Sequence, residues 1–179
     1  MEKVIFQEEQ RNNQSWLVVV LIVSFFAALT PFVYGIYSQE VLQQPFGNNP
    51  VSSGVLAAIG SGVLLVVGGA NLLILKIRLK TKVTNEAIWV SFPPLRKWKK
   101  ITPAMIQHWE IKTYNPNRDF GGHGMKRTRK YGVCYTIHGN IGLQIIFTDG
   151  RKFLIGTQKK QALEHAMRKL MANESENGL

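Results

Sequence analysis

Cysteine is nearly absent from this chain: Cys134 stands alone, so no disulfide can close within it and no cysteine cluster can hold zinc. A lone thiol suits a reducing compartment. Its place in the apolar alternation of an expected strand makes it a packing group, not a nucleophile. Charge is missing over a long stretch as well, since Glu40 is the only charged side chain between Arg11 and Lys76. Acids are sparse beyond that stretch, and Glu110, Asp119 and Asp149 show no paired arrangement for general acid–base work. His108, His123, His138 and His165 are dispersed without a metal-ligand spacing. No serine sits in a nucleophile elbow, and no P-loop or dinucleotide fingerprint is present. These absences argue against an enzyme, and the residues call for no cofactor.

What is present falls into two unlike parts, which the near-zero mean hydropathy conceals. Residues 1–75 hold Lys3 and Arg11 against Glu2, Glu8, Glu9 and Glu40, a net of −2, so the rest of this +11 chain carries +13. Such asymmetry points to an anionic membrane surface or to nucleic acid. The membrane is favoured because the basic part follows hydrophobic spans.

Residues 1–15 read as a polar cytoplasmic tail. Residues 16–77 read as a transmembrane hairpin with spans at about 17–36 and 54–75, each long enough for a hydrocarbon core of roughly 30 Å. Trp16, Tyr34 and Tyr37 flank the first span at interfacial positions. A cleavable signal peptide is the rival reading, but the leading segment is acidic and Pro31-Phe32-Val33-Tyr34 makes a poor cleavage site. Pro31 is expected to kink or end the first span, and Ser52 or Ser53 to cap the second. Gly54, Ala58 and Gly62 recur every four residues, a spacing that lets helices approach closely, within the hairpin or between copies. The loop between the spans has no basic residue, whereas Lys76, Arg78, Lys80 and Lys82 follow the second span at once. The positive-inside bias predicts a multi-pass protein of a cell's inner (plasma) membrane with both termini cytoplasmic.

Beyond Lys82 the pattern becomes that of strands, expected over 83–92, 95–101, 105–114, 130–137, 143–147 and 152–155. Asp149-Gly150 between apolar runs signals a hairpin. An amphipathic helix over 159–172 follows, with Thr157 as its N-cap, and 173–179 form a polar disordered tail. The fold class expected is α+β: two transmembrane helices, then over 83–172 a small antiparallel β-barrel closed by a C-terminal helix. Three stretches carry a closer resemblance: Gly121-Gly122-His123-Gly124-Met125-Lys126, Tyr135 to Gln144, and Asp149 to Gln158. With them the chain resembles the bacterial pleckstrin-homology-like domains attached to membrane hairpins, differing at His123 and Lys126 where that family usually shows Trp and Arg. The resemblance implies a membrane-anchored module of largely unknown function, in a group without an established common ligand or catalytic activity.

Two basic clusters are the candidate binding residues: Arg96, Lys97, Lys99 and Lys100 around Trp98, and Lys126, Arg127, Arg129 and Lys130. Each cation near an anionic leaflet contributes on the order of 1 kcal/mol. The expected function is therefore non-enzymatic: a cytoplasmic module that binds anionic lipid headgroups or a membrane protein partner. The alternative is a structural or assembly subunit that oligomerises through its membrane helices. Single-stranded nucleic acid would need exposed aromatics among the cations, and Trp98 and Tyr131 suit a strand core equally. Gly121, Gly122 and Gly124 read as either a phosphate-binding nest or a tight turn.

Overall fold

The computed structural model describes residues 2–12 and 15–177. The chain divides into two compact units, residues 13–76 and residues 1–12 with 77–179.

The first of these is a pair of helices, α1 (Ser15–Glu40) and α2 (Ser53–Lys76). Both are long and apolar enough to cross a membrane, and nearly all their side chains face outward. A helix apolar all round is one that is either covered by protein or crosses a membrane. Helix α1 runs on through Pro31 instead of ending there. Ser52 starts α2: its Oγ accepts from Val55 N at 3.4 Å and its carbonyl from Leu56 N. The helices meet at Gly60, where a Cβ would lie 3.1 Å from Phe32, and at Asn71, whose Nδ2 donates to the Leu21 carbonyl at 3.0 Å. Gly54, Ala58 and Gly62 are exposed and do not form this contact. The crossing falls on another face of α2, where Leu56 and Gly60 are buried.

The second unit holds two sheets. Sheet A is antiparallel in the order β1 (Val4–Arg11), β2 (Arg78–Thr84), β3 (Ile88–Phe92), β4 (Arg96–Ile101). The segment expected as a polar tail is thus a strand. Phe6, Glu8 and Gln10 point inward while Gln7, Glu9 and Arg11 point outward. The basic run after the second span is a strand too, with Leu79, Thr81 and Val83 buried and Arg78, Lys80 and Lys82 on the outer face. The expected strand over 83–92 is broken because Thr84 Oγ1 accepts from Glu86 N and Ala87 N, which turns the chain back.

Sheet B runs β5 (Ile106–Thr113), β8 (Ile141–Phe147), β9 (Lys152–Gly156), β7 (Gly132–Thr136), β6 (Gly124–Thr128), with β7 and β9 parallel and the other pairs antiparallel. The core lies between the inner faces of the sheets and helix α4 (Lys160–Asn177), which contributes Leu163, Ala166, Met167 and Leu170. Residues 173–177, expected as a disordered tail, continue this helix; 178–179 lie outside the described residues. Thr157 stands just before the helix, where its Oγ1 accepts from Lys159 N at 3.0 Å, and the Lys159 carbonyl in turn accepts from Leu163 N in the first turn.

A short helix, α3 (Pro116–Phe120), covers a second cluster on the outer face of sheet B, formed by Tyr114, Phe120, Tyr131, Cys134 and Leu154. Its signals are local. Asn115 Oδ1 accepts from Arg118 N, Pro116 takes the first turn, and Gly121 ends the helix at φ +67°.

The sheets are not closed into a barrel. Strands β4 and β6 each end a ladder, and these edges carry lysine and arginine, whose repulsion and solvation discourage edge-to-edge pairing.

Candidate functional site: a basic cleft between two sheet edges

The gap left by the missing closure is a cleft of about 410 Å³ lined from both edges. Arg96 and Lys99 enter it from β4, Lys126 and Arg127 from β6, and Arg151 and Lys152 from the β8–β9 turn and the start of β9. Met125, Val133, Tyr135, Phe147 and Phe153 form its apolar part.

Strand register explains the selection. Lys99 pairs with buried Val90 and Arg96 with buried Phe92, so both start on the inner face of sheet A. A bulge between these pairs permits two inward positions three residues apart. Lys100 instead pairs with Trp89 on the outer face, its ammonium 5.3 Å from the indole centroid. The expected cluster of four is therefore split between two surfaces. On β6, Arg127 pairs with Val133 and faces the cleft beside Met125, while Lys126 pairs with Cys134 and reaches the rim. Arg129 lines a neighbouring depression of about 430 Å³ together with Arg127, Arg151 and Lys152. Lys130 lies over the Tyr131 ring at 4.8 Å and lines neither cavity.

Lys99 reaches over the aromatic side chains of the cleft. Its Nζ stands 5.0 Å from the ring centroids of both Phe147 and Phe153. Partial burial against these rings, together with the charge of Arg151, lowers its pKa below the ordinary lysine value; Asp149 opposes the shift. That carboxylate is already engaged at 2.6 Å with Arg151, whose guanidinium also lies 5.8 Å from the Phe147 ring centroid. Six cations against one committed acid make a site able to neutralise an anion, and the half-buried Met125 and Val133 offer apolar contact beside them.

Sequence reasoning missed Arg151 and Lys152, because Asp149-Gly150 drew attention only as a turn. The hairpin is indeed there, with Gly150 at φ +79°, and it carries those two cations to the cleft.

The outer face of sheet A bears a second basic and aromatic surface, a depression of about 310 Å³ lined by Glu2, Lys82, Trp89 and Trp98. Tyr131 is buried and donates to Asp119 Oδ2, so it offers no stacking platform. In the glycine loop the amides of Gly121 and Gly122 already donate to Asn117 and Pro116 carbonyls, which makes the loop a helix C-cap and leaves those donors unavailable to a phosphate. His123 and His138 approach to 6.4 Å between ring centroids, and among the described residues no group of three or more His, Cys, Asp or Glu could hold a metal ion.

The Ile155-Gly156-Thr157-Gln158 stretch has a structural task. Buried Glu8 of β1 accepts from Thr157 Oγ1 at 2.6 Å and Gln158 N at 2.8 Å, and Gln10 Nε2 donates to the Gly156 carbonyl at 2.8 Å. Near the end of β1, His138 Nε2 contacts the Arg11 carbonyl at 2.6 Å.

Comparison with known proteins finds no matching family model, no matching curated protein and no matching solved structure. The chain is thus defined by its architecture: two long apolar helices inserted between the first two strands of an α+β domain with a C-terminal helix.

Proposed function

We propose that the chain is a two-span protein of a cell's inner membrane, with both termini cytoplasmic, and that its α+β domain is a non-enzymatic module of pleckstrin-homology-like type binding anionic groups at the membrane surface. The observation that carries the binding reading is the convergence of Arg96, Lys99, Lys126, Arg127, Arg151 and Lys152 on one cleft with a single, already paired acid.

The topology is supported by chain connectivity. Strands β1 and β2 pair from Val4↔Thr84 to Arg11↔Arg78, so the chain leaves this domain and returns to it at adjacent positions. Both ends of the helical segment then belong on one side of a bilayer, which requires an even number of crossings. The basic residues on β2 and their absence from the loop favour the cytoplasmic side for those ends. With Cys134 replaced by Ala, an impermeant maleimide applied to intact cells should label Gln44→Cys and spare Asn173→Cys. The reverse pattern would overturn the orientation.

The binding reading is tested on the full chain purified in a neutral detergent and offered an equal mixture of phosphatidylglycerol and phosphatidylcholine. Native mass spectrometry should find the anionic lipid retained in several-fold excess. That excess should fall with added salt, since screening acts within about 8 Å at 0.15 M, and should fall again when Arg96, Lys99, Arg127 and Arg151 become Gln. Equal retention of the two lipids would rule the reading out.

The alternative, a subunit that assembles through its helices, is favoured by one observation: Gly54, Ala58 and Gly62 stay exposed and unused within the hairpin. A Gly62→Leu chain that keeps the oligomeric state of the parent in detergent would remove that support.

A further inference from the structure

Surface attraction to an anionic bilayer needs only exposed cations, yet the cleft is built with more than that. Lys99 occupies an inward register position and lies over two phenylalanine rings, and among the described residues no carboxylate comes within 4 Å of its ammonium. The rings beneath are held firmly: Phe153 and Tyr135 meet edge to face at 5.0 Å, and both belong to the main core. Those rings are already buried, and the accessible apolar part of the lining is the half-buried pair Met125 and Val133. An inorganic anion would use the cations alone, whereas an amphiphile would also cover this pair. Arg127 offers a planar fork that matches phosphate oxygens, and Arg151 stands in the same lining with its Nε–Nη2 edge already on Asp149. The volume of about 410 Å³ falls within the range of small-ligand pockets, roughly 300–1,000 Å³. It accommodates a head and a few carbons.

We propose that this cleft is a pocket for one phosphate-headed amphiphile, with its phosphate on Lys99, Arg96, Arg127 and Arg151 and the first part of its apolar body on the half-buried Met125 and Val133. This inference rests on the anion-binding reading above and sharpens it from a charged surface to a stoichiometric site. The shared chemistry is a phosphate ester of an apolar alcohol, which a bilayer lipid or a soluble phosphate ester could supply.

The test uses the full chain in a neutral maltoside detergent, with its lysines ¹³C-dimethylated so that each keeps its charge and gives a resonance. Lys99→Arg identifies the Lys99 signal by its loss. Titration with hexyl phosphate should shift that signal saturably at a concentration at least tenfold below that needed with inorganic phosphate or glycerol 3-phosphate, and hexyl glucoside should leave it unmoved. Arg151→Gln should weaken the hexyl phosphate response at least fivefold, while Lys100→Gln, on the outer face, should not change it. In phosphatidylcholine nanodiscs, doping with a diacyl phosphatidic acid should produce the same Lys99 shift if the bilayer supplies the ligand. A shift in the hexyl phosphate arm alone assigns the pocket to soluble esters. Equal responses to hexyl and inorganic phosphate, or a Lys99 signal silent to every probe, would overturn the pocket. If the mass-spectrometric preference for anionic lipid persists in that case, the surface reading survives without the pocket; if it is absent too, both fail.

Discussion

In sheet B the strands β8 and β9 are joined by a short turn at Asp149-Gly150, and their inward residues are apolar. In sheet A the strands β1 and β2 pair just as fully, at seven positions, yet two long helices separate them in sequence. The inward side of β1 is held largely by polar groups, Glu8 and Gln10, whose partners lie at the last residue of β9 and just beyond it. The contrast shows that a strand's identity can rest on a distant partner. It also orders events in the chain, because β1 cannot pair until both helices and β2 have been made, a non-local contact of the kind that slows folding.

The largest test of this contrast is to remove the distance. Arg11 and Arg78 are directly paired, so residues 2–11 joined to 78–177 through Asn-Gly, a two-residue turn suited to twisted hairpins, should give a soluble domain with one cooperative thermal transition by circular dichroism. A fragment of residues 83–172 begins inside β2 and lacks β1 altogether. It should show no such transition, and a cooperative melt at the temperature of the joined protein would show that β1 is dispensable. Within the joined protein, Leu163→Asp would bury an unpaired charge on the inner face of α4 and should cost several kcal/mol.

A smaller effect separates the two faces of β1. Glu8→Ala leaves the Thr157 hydroxyl and Gln158 N without their acceptor, while Gln10 keeps the Gly156 carbonyl, and should cost about 2–4 kcal/mol in denaturant melts. Glu9→Ala removes ion pairs to Arg11, Arg78 and Lys80 on the solvent side and should cost only a small fraction of that, because exposed pairs contribute little. Equal losses would mean that the Glu8 network is not what fixes β1. On the local side of the comparison, Gly150→Ala meets open space but a φ of +79°, so its cost should come from backbone strain alone, about 1–2 kcal/mol.

These cases show where the sequence was legible. The two helices, the β8–β9 hairpin and α4 announce themselves through apolar length, an Asp-Gly turn and helical spacing, all local signals. Strand β1 was hidden because Glu8 and Gln10 look solvent-facing until their partners are known. Strand β2 was hidden because its alternation of Leu79, Thr81 and Val83 with cations coincides with the charge pattern of a membrane exit. The cleft was half visible. Its cations appeared as two clusters, but which of Lys97, Lys99 and Lys100 faces inward depends on a bulge opposite β3, and Arg151 joins them only because the sheets stay open. Helix α3 was legible in its caps, Asn115, Pro116 and Gly121, and was passed over because it is a single turn.

The smallest expected effect concerns Cys134, which packs in the aromatic cluster beneath α3. Burial pushes its thiol up to about 11 from the ordinary 9.0. The protonated form is thus the one the folded state favours. Any stabilisation linked to it is fully present below about pH 9 and is lost as pH rises through about 11, because the unfolded chain releases the proton first. Between those limits the melting temperature of the joined domain should fall slightly more steeply than that of its Cys134→Ala counterpart, which lacks the titrating group. Reactivity supplies a sharper readout than stability. At pH 8 the thiolate fraction implied by the raised value is roughly a hundredfold below that of an ordinary cysteine, so iodoacetamide should modify the folded domain at least that much more slowly than the domain unfolded in urea. Rapid labelling of the folded domain would mean that α3 opens readily and that the cluster beneath it, unlike the main core shared by both sheets, is not a permanent part of the fold.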